Sequence, residues 1–176
     1  MFWFDLAYRI IKVFRDGATP AQIAWGLTLG FMMGIIPGWP LHVFVLLLIA
    51  LIFNVNLTMV GLGAIVTSLL TLALDPVLDT FGYYILSDIP ALTGLFTHMY
   101  NSTFWMLTRF NNSLVMGGTA LGILLAIPLF LVSRQLVILI RSKVIYKLGD
   151  TKLAKWIRKS WIYGIYSRIN AVGSRI

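Results

Sequence analysis

From Gly17 to Leu74 the chain runs 58 residues without an Asp, Glu, Lys or Arg, and the run is broken once, by Pro37-Gly38-Trp39-Pro40. A soluble helix must keep one polar face, so the pattern predicts helices in a bilayer. There a Lys, Arg or Asp at mid-membrane costs about 2.5–3.5 kcal/mol. The break folds the stretch into a hairpin over residues 20–53. As helix, its first arm, Pro20 to Ile36, would be about 26 Å long and its second, Leu41 to Phe53, about 20 Å. The hydrocarbon core is about 30 Å thick, which leaves two readings. One is a re-entrant hairpin that dips in and returns, favoured by the short second arm. The other is a pair of short spans across a locally thinned bilayer. Both return Asn54-Val55-Asn56 to the side from which the hairpin enters.

Two longer spans follow, over residues 57–86 and 113–133, the first with a kink expected at Asp75-Pro76. Asp88-Ile89-Pro90 reads as a turn between them. Ala91 to Phe110 reads as one weakly amphipathic helix lying flat on the membrane surface, with Tyr100 and Trp105 as interfacial aromatics. The two ends repeat the interfacial pattern. Residues 2–16 place Asp5, Arg9, Lys12 and Asp16 on one stripe, and Thr19-Pro20 suits the cap and first position of the next helix. Residues 150–176 set Leu153, Ile157, Trp161, Ile165 and Ile169 opposite Lys152, Lys155, Arg158 and Lys159, a face suited to anionic lipid. The expected fold class is all-α integral membrane: a re-entrant helical hairpin plus two longer spans, flanked by interfacial amphipathic helices. Residues 1–149 form the membrane domain and 150–176 a basic cytoplasmic helix.

Charge orients this architecture. Residues 134–176 carry ten of the fourteen Lys and Arg, and Arg9, Lys12 and Arg15 precede the hairpin. The stretch between holds Arg109 with Asp75, Asp79 and Asp88. Basic ends and an acidic middle predict both termini on the cytoplasmic side, with residues 88–112 on the other. Trp156 and Trp161 beside the basic tail suit a lipid interface rather than nucleic acid. Cysteine and glutamate are absent and His42 and His98 are the two histidines, so the chemistry for thiolate metal sites or acid–base catalysis is thin. No phosphate loop, zinc-helix signature or nucleophile elbow occurs, and neither an enzyme nor a cofactor is expected.

Three constellations stand out. Gly26, Gly30 and Gly34 recur at four-residue spacing, clearing one helix face for the close approach of another backbone. That backbone is either the second hairpin arm or a partner subunit. Ser68, Thr71, Asp75 and Asp79 share a stripe of the first longer span. Carboxylates on a membrane helix are functional candidates by default, so the stripe, together with His42, reads as a polar or lipid path, against solvated or capping roles at the membrane surface. His42 opens the second arm with no nucleophile or carboxylate near it in sequence, so packing or headgroup contact outweighs catalysis.

The order Ala18-Thr19-Pro20, Gly30, Gly34, Pro37, His42 and Asn56-Leu57 resembles an uncharacterised bacterial inner-membrane family known only as a domain of unknown function. Two positions depart from its pattern: Asn54 where a basic residue is common, and Asp75-Pro76 where Asn-Pro is usual. Short members of that family are encoded beside AsmA-like, envelope-spanning proteins. The resemblance implies a multi-pass protein of the bacterial inner membrane that acts as a non-enzymatic partner subunit of a larger AsmA-like protein, in lipid transport or envelope maintenance. Membrane lipids would be further partners, and a homo-oligomer is compatible. The alternative is a small transporter or flippase for a lipid or lipid-linked substrate.

Overall fold

The computed structural model describes residues 18–142. The chain divides into two compact units, Met1–Val137 and Ile138–Ile176, and the contacts below lie within the first. The interfacial helices expected over 2–16 and 150–176 fall outside the described residues. So do Lys152, Lys155, Arg158 and Lys159.

All regular structure among the described residues is helical: α1 (Pro20–Ile35), α2 (Leu41–Ile52), α3 (Leu57–Ser87), α4 (Pro90–Tyr100), α5 (Thr103–Met106) and α6 (Ser113–Ile140). Local chemistry sets each start. Thr19 and Gln22 form a reciprocal capping box around α1, with Pro20 at its first position. Asn56 caps α3 by accepting from the Met59 N–H at 3.1 Å. Pro37 and Pro40 bracket the hairpin turn, where Gly38 takes φ +78°. Both α3 and α6 run on through a proline, Pro76 and Pro128. They are long and apolar enough, by length and composition, to cross a membrane.

The glycine face of α1 lies against α3. This corrects the reading that it seats the second arm or a partner. A Cβ on Gly26 would come within 2.7 Å of the Asn56 carbonyl, and on Gly30 or Gly34 it would run into the Val60 or Ala64 carbonyl. Gly63 faces Gly30 in return. Both sequences advance together along the contact, so α1 and α3 are parallel. The reason is geometric: residues 36–56 carry the chain through the turn and back, so the helix entering at Asn56 starts level with α1. The Asn56 N–H reaches the Gln22 carbonyl at 3.3 Å.

The last helix, α6, runs antiparallel to both and fits by the same device. A Cβ on Gly82 would strike the Ser113 carbonyl, on Gly117 the Leu78 carbonyl, and on Gly118 the Ile35 carbonyl at 2.5 Å. Trp25 stacks on Phe130 at 4.4 Å. Side chains fill the rest in three clusters, centred on Ile35, Val43, Leu78 and Val115, on Ile23, Met59 and Val137, and on Leu29, Ala50 and Val60. Only Val43 and Ala50 of α2 are buried, so this arm covers the bundle from outside.

The segment read as one flat helix over 91–110 is two short helices. Asn101 ends α4 by turning back onto the Thr97 carbonyl, its side-chain amide at 3.0 Å and its N–H at 3.3 Å. After α5 the chain turns again at Arg109, whose φ of +52° is unusual for a residue with a side chain.

Glycine contacts predict the outcome of paired substitutions. Gly30→Ala should lower the melting temperature sharply, because its methyl meets backbone. Gly61→Ala, with nothing within 4 Å, should be neutral or stabilising by up to about 1 kcal/mol through helix propensity. Thermal unfolding followed by circular dichroism in detergent compares them, and equal melting temperatures would refute the close-approach account.

Candidate functional site

Most of the polar groups picked out by sequence converge on two helix ends. At the C-terminus of α1 the last carbonyls have no partner within the helix, and an unpaired carbonyl in apolar surroundings is costly. Ser68 and Thr71 of α3 both donate to the Gly34 carbonyl, at 3.3 and 3.2 Å. Thr71 shares its proton with the Thr67 carbonyl at 2.8 Å. The same glycine that lets the backbones meet therefore presents the oxygen that α3 caps. About two turns further on, the Asp79 carboxylate accepts from the Ser113 hydroxyl at the start of α6. Asp75 has no partner among the described residues. The stripe of Ser68, Thr71 and Asp79 thus works as a seam joining α3 to the end of α1 and to the beginning of α6.

His42 lies beside this seam, on α2. Thr119 of α6 donates to the Val115 carbonyl at 2.7 Å, which leaves its oxygen to accept from the His42 Nε2–H at 3.0 Å. The imidazole is accordingly a bridge between the hairpin and α6. The turn itself is held by the Leu41 N–H on the Leu107 carbonyl at 3.0 Å. A Cβ on Gly38 would lie 3.4 Å from the Arg109 guanidinium, so that cation sits over the turn. Among the described residues no three His, Cys, Asp or Glu side chains cluster to hold a metal ion.

A second feature was missed by the sequence reading. Where α3 ends and α6 begins, α4 folds across them and leaves an open cleft of about 520 Å³. Tyr83, Ser87, Thr93, Tyr100 and Asn111 contribute polar groups, and Phe96 and Phe110 an aromatic wall, their ring centroids 6.2 Å apart. The signal available was the rarity of polar residues in such a chain together with the helix breaks at Asn101 and Asn111-Asn112. Their meeting point depends on how α4 folds back.

The chain belongs to the family described as "Uncharacterized protein conserved in bacteria (DUF2062)", whose family model matches residues 5–144. Nothing among curated proteins or solved structures matches it.

The seam predicts a non-additive pair. Ser68→Ala or Thr71→Val alone leaves the Gly34 carbonyl one donor, whereas the double variant strands it at about 1–3 kcal/mol. Unfolding in detergent should show small single effects and a double effect larger than their sum. Strict additivity would mean the two hydroxyls act on different groups.

Proposed function

We propose that this member of the family is a non-enzymatic, multi-pass subunit of the bacterial inner membrane that partners a larger envelope protein of AsmA-like type, in lipid transport or envelope maintenance. The observation that carries the reading is how the polar groups are used. Ser68, Thr71, Asp79, His42 and Thr119 are engaged in bonds between helices, while the outer faces are apolar: Leu72 is 73% exposed, Ile127 67% and Leu48 56%. Buried shares of only 22% and 11% in the apolar stretches of α3 and α6 separate them from the core helices of a soluble protein. Such a molecule suits surrounding lipid and a partner's helices, and these five polar side chains tie the bundle together instead of lining a path.

Topology follows from the same reading. Both feet of the hairpin lie at the end of the bundle that holds Val137, and the turn lies towards the end where α6 starts. The Lys/Arg excess beyond residue 134 makes the first end cytoplasmic. The hairpin is re-entrant, its arms of 16 and 12 residues, about 24 and 18 Å long, being met from the far side by the 107–109 segment. An impermeant thiol reagent added outside should label Ser102→Cys and spare Ser174→Cys in this cysteine-free chain. The reverse pattern would overturn the orientation.

Function is tested by affinity purification in mild detergent with mass spectrometry, where one large stoichiometric membrane or periplasmic partner is expected. Complementation of a deletion strain by the Asp75→Asn, Asp79→Asn double variant discriminates against transport. An amide at position 79 still accepts from Ser113, so full activity at matched membrane levels is expected. Loss of activity with normal assembly would favour the transporter or flippase reading.

A further inference from the structure

The open cleft between α3, α4 and the start of α6 gathers eight polar side chains: Tyr83, Ser87, Thr93, Thr97, Tyr100, Asn101, Asn111 and Ser113. Three of them are spent: Thr97 donates to the Thr93 carbonyl at 2.8 Å, the Asn101 amide to the Thr97 carbonyl at 3.0 Å, and the Ser113 hydroxyl to the Asp79 carboxylate. The hydroxyls of Tyr83, Ser87, Thr93 and Tyr100 and the amide of Asn111, all on exposed residues, have no partner among the described residues. Five hydrogen-bonding groups thus face one open cleft in a chain that is 59% hydrophobic.

The kind of group that fits follows from this inventory. No lining residue is charged, so nothing in the wall would neutralise a phosphate, a carboxylate or an amine. Hydroxyls and a carboxamide both donate and accept, which matches a ligand whose own groups do both. The flat faces of Tyr83, Tyr100 and Phe96 offer apolar surface against which a ring with C–H edges can lie. The volume of about 520 Å³ falls within the range of roughly 300–1,000 Å³ typical of small-molecule sites. We propose that this cleft binds an uncharged, hydroxyl-rich sugar ring, presented either as the glycosyl headgroup of a lipid or as a free saccharide. The proposal stands apart from the partner-subunit reading, since it requires neither a partner nor transport.

The experiment uses the full chain purified in a polyoxyethylene detergent, which carries no sugar to compete. Binding of monoglucosyl diacylglycerol, diacylglycerol, phosphatidate and methyl β-glucoside is measured by native mass spectrometry. Saturable binding of a glucosyl compound is expected, with diacylglycerol and phosphatidate at least about tenfold weaker. A lipid preference over methyl β-glucoside identifies a headgroup, and equal affinity a free saccharide. The Tyr83→Phe, Asn111→Ala variant removes a hydroxyl and an amide from exposed positions and should weaken binding about tenfold, equivalent to about 1.4 kcal/mol. If that variant misfolds, Ser87→Ala with Thr93→Val makes the same test on other walls of the cleft. Equal retention of all three lipids, or glucosyl binding unchanged in a folded variant, would overturn the proposal.

Discussion

The parallel approach of α1 and α3 is the contact from which the rest of the arrangement follows. Across Gly26, Gly30, Gly34 and Gly63 the surfaces that touch are peptide groups and Cα atoms instead of side chains. In the bilayer proposed above, no hydrophobic force draws helices together, so association rests on dispersion and close fit, and glycine maximises both. Parallel neighbours also bring like ends of their dipoles together, which opposes the contact. The opposition is local to the ends, and the seam answers it at one of them, where Ser68 and Thr71 direct hydroxyl protons at the carbonyl end of α1. Once α1 is fixed on α3, its Ile35 carbonyl is presented to Gly118 and the register of α6 is set.

What could be read from the sequence was what depends on neighbours along the chain. Proline at 20, 37 and 40 and the Thr19 cap act within a few residues, and α1 and α2 lie where those signals put them. The glycine spacing announced that a backbone approaches without saying whose. Its partner is settled by the path of residues 36–56, a long-range fact. The seam shows the same limit. Ser68, Thr71 and Asp79 were visible as one stripe, but their partners, Gly34 and Ser113, lie 34 to 37 residues away. Thr119 carried no signal of its own until His42 was seen to reach it. The segment 91–110 failed as a single helix because its polarity was too weak to set against the capping chemistry of Asn101.

The cleft was harder still to foresee. Tyr83 and Tyr100, taken singly, are ordinary aromatic residues at helix ends, and Ser87, Thr93 and Asn111 are ordinary surface polar residues. They meet in one cleft because α4 folds back across the ends of α3 and α6. Chemistry shared out in this way leaves no motif, and a family defined by sequence pattern carries no statement of activity with it.

Arg109 links the hairpin to the cleft. Its left-handed backbone, costing on the order of 1–3 kcal/mol for a residue other than glycine, reverses the chain within a few residues. On one side of that reversal the Leu107 carbonyl receives the Leu41 N–H, and the guanidinium covers Gly38. On the other, Phe110 is 6% exposed and stacks on Phe96 in the wall of the cleft. The unfavourable conformation persists because it is fixed from both sides, by the hairpin turn and by the aromatic pair. Displacing either side releases the reason for holding it. The turn and the cleft are therefore adjacent along one short segment, residues 107–110, which touches both.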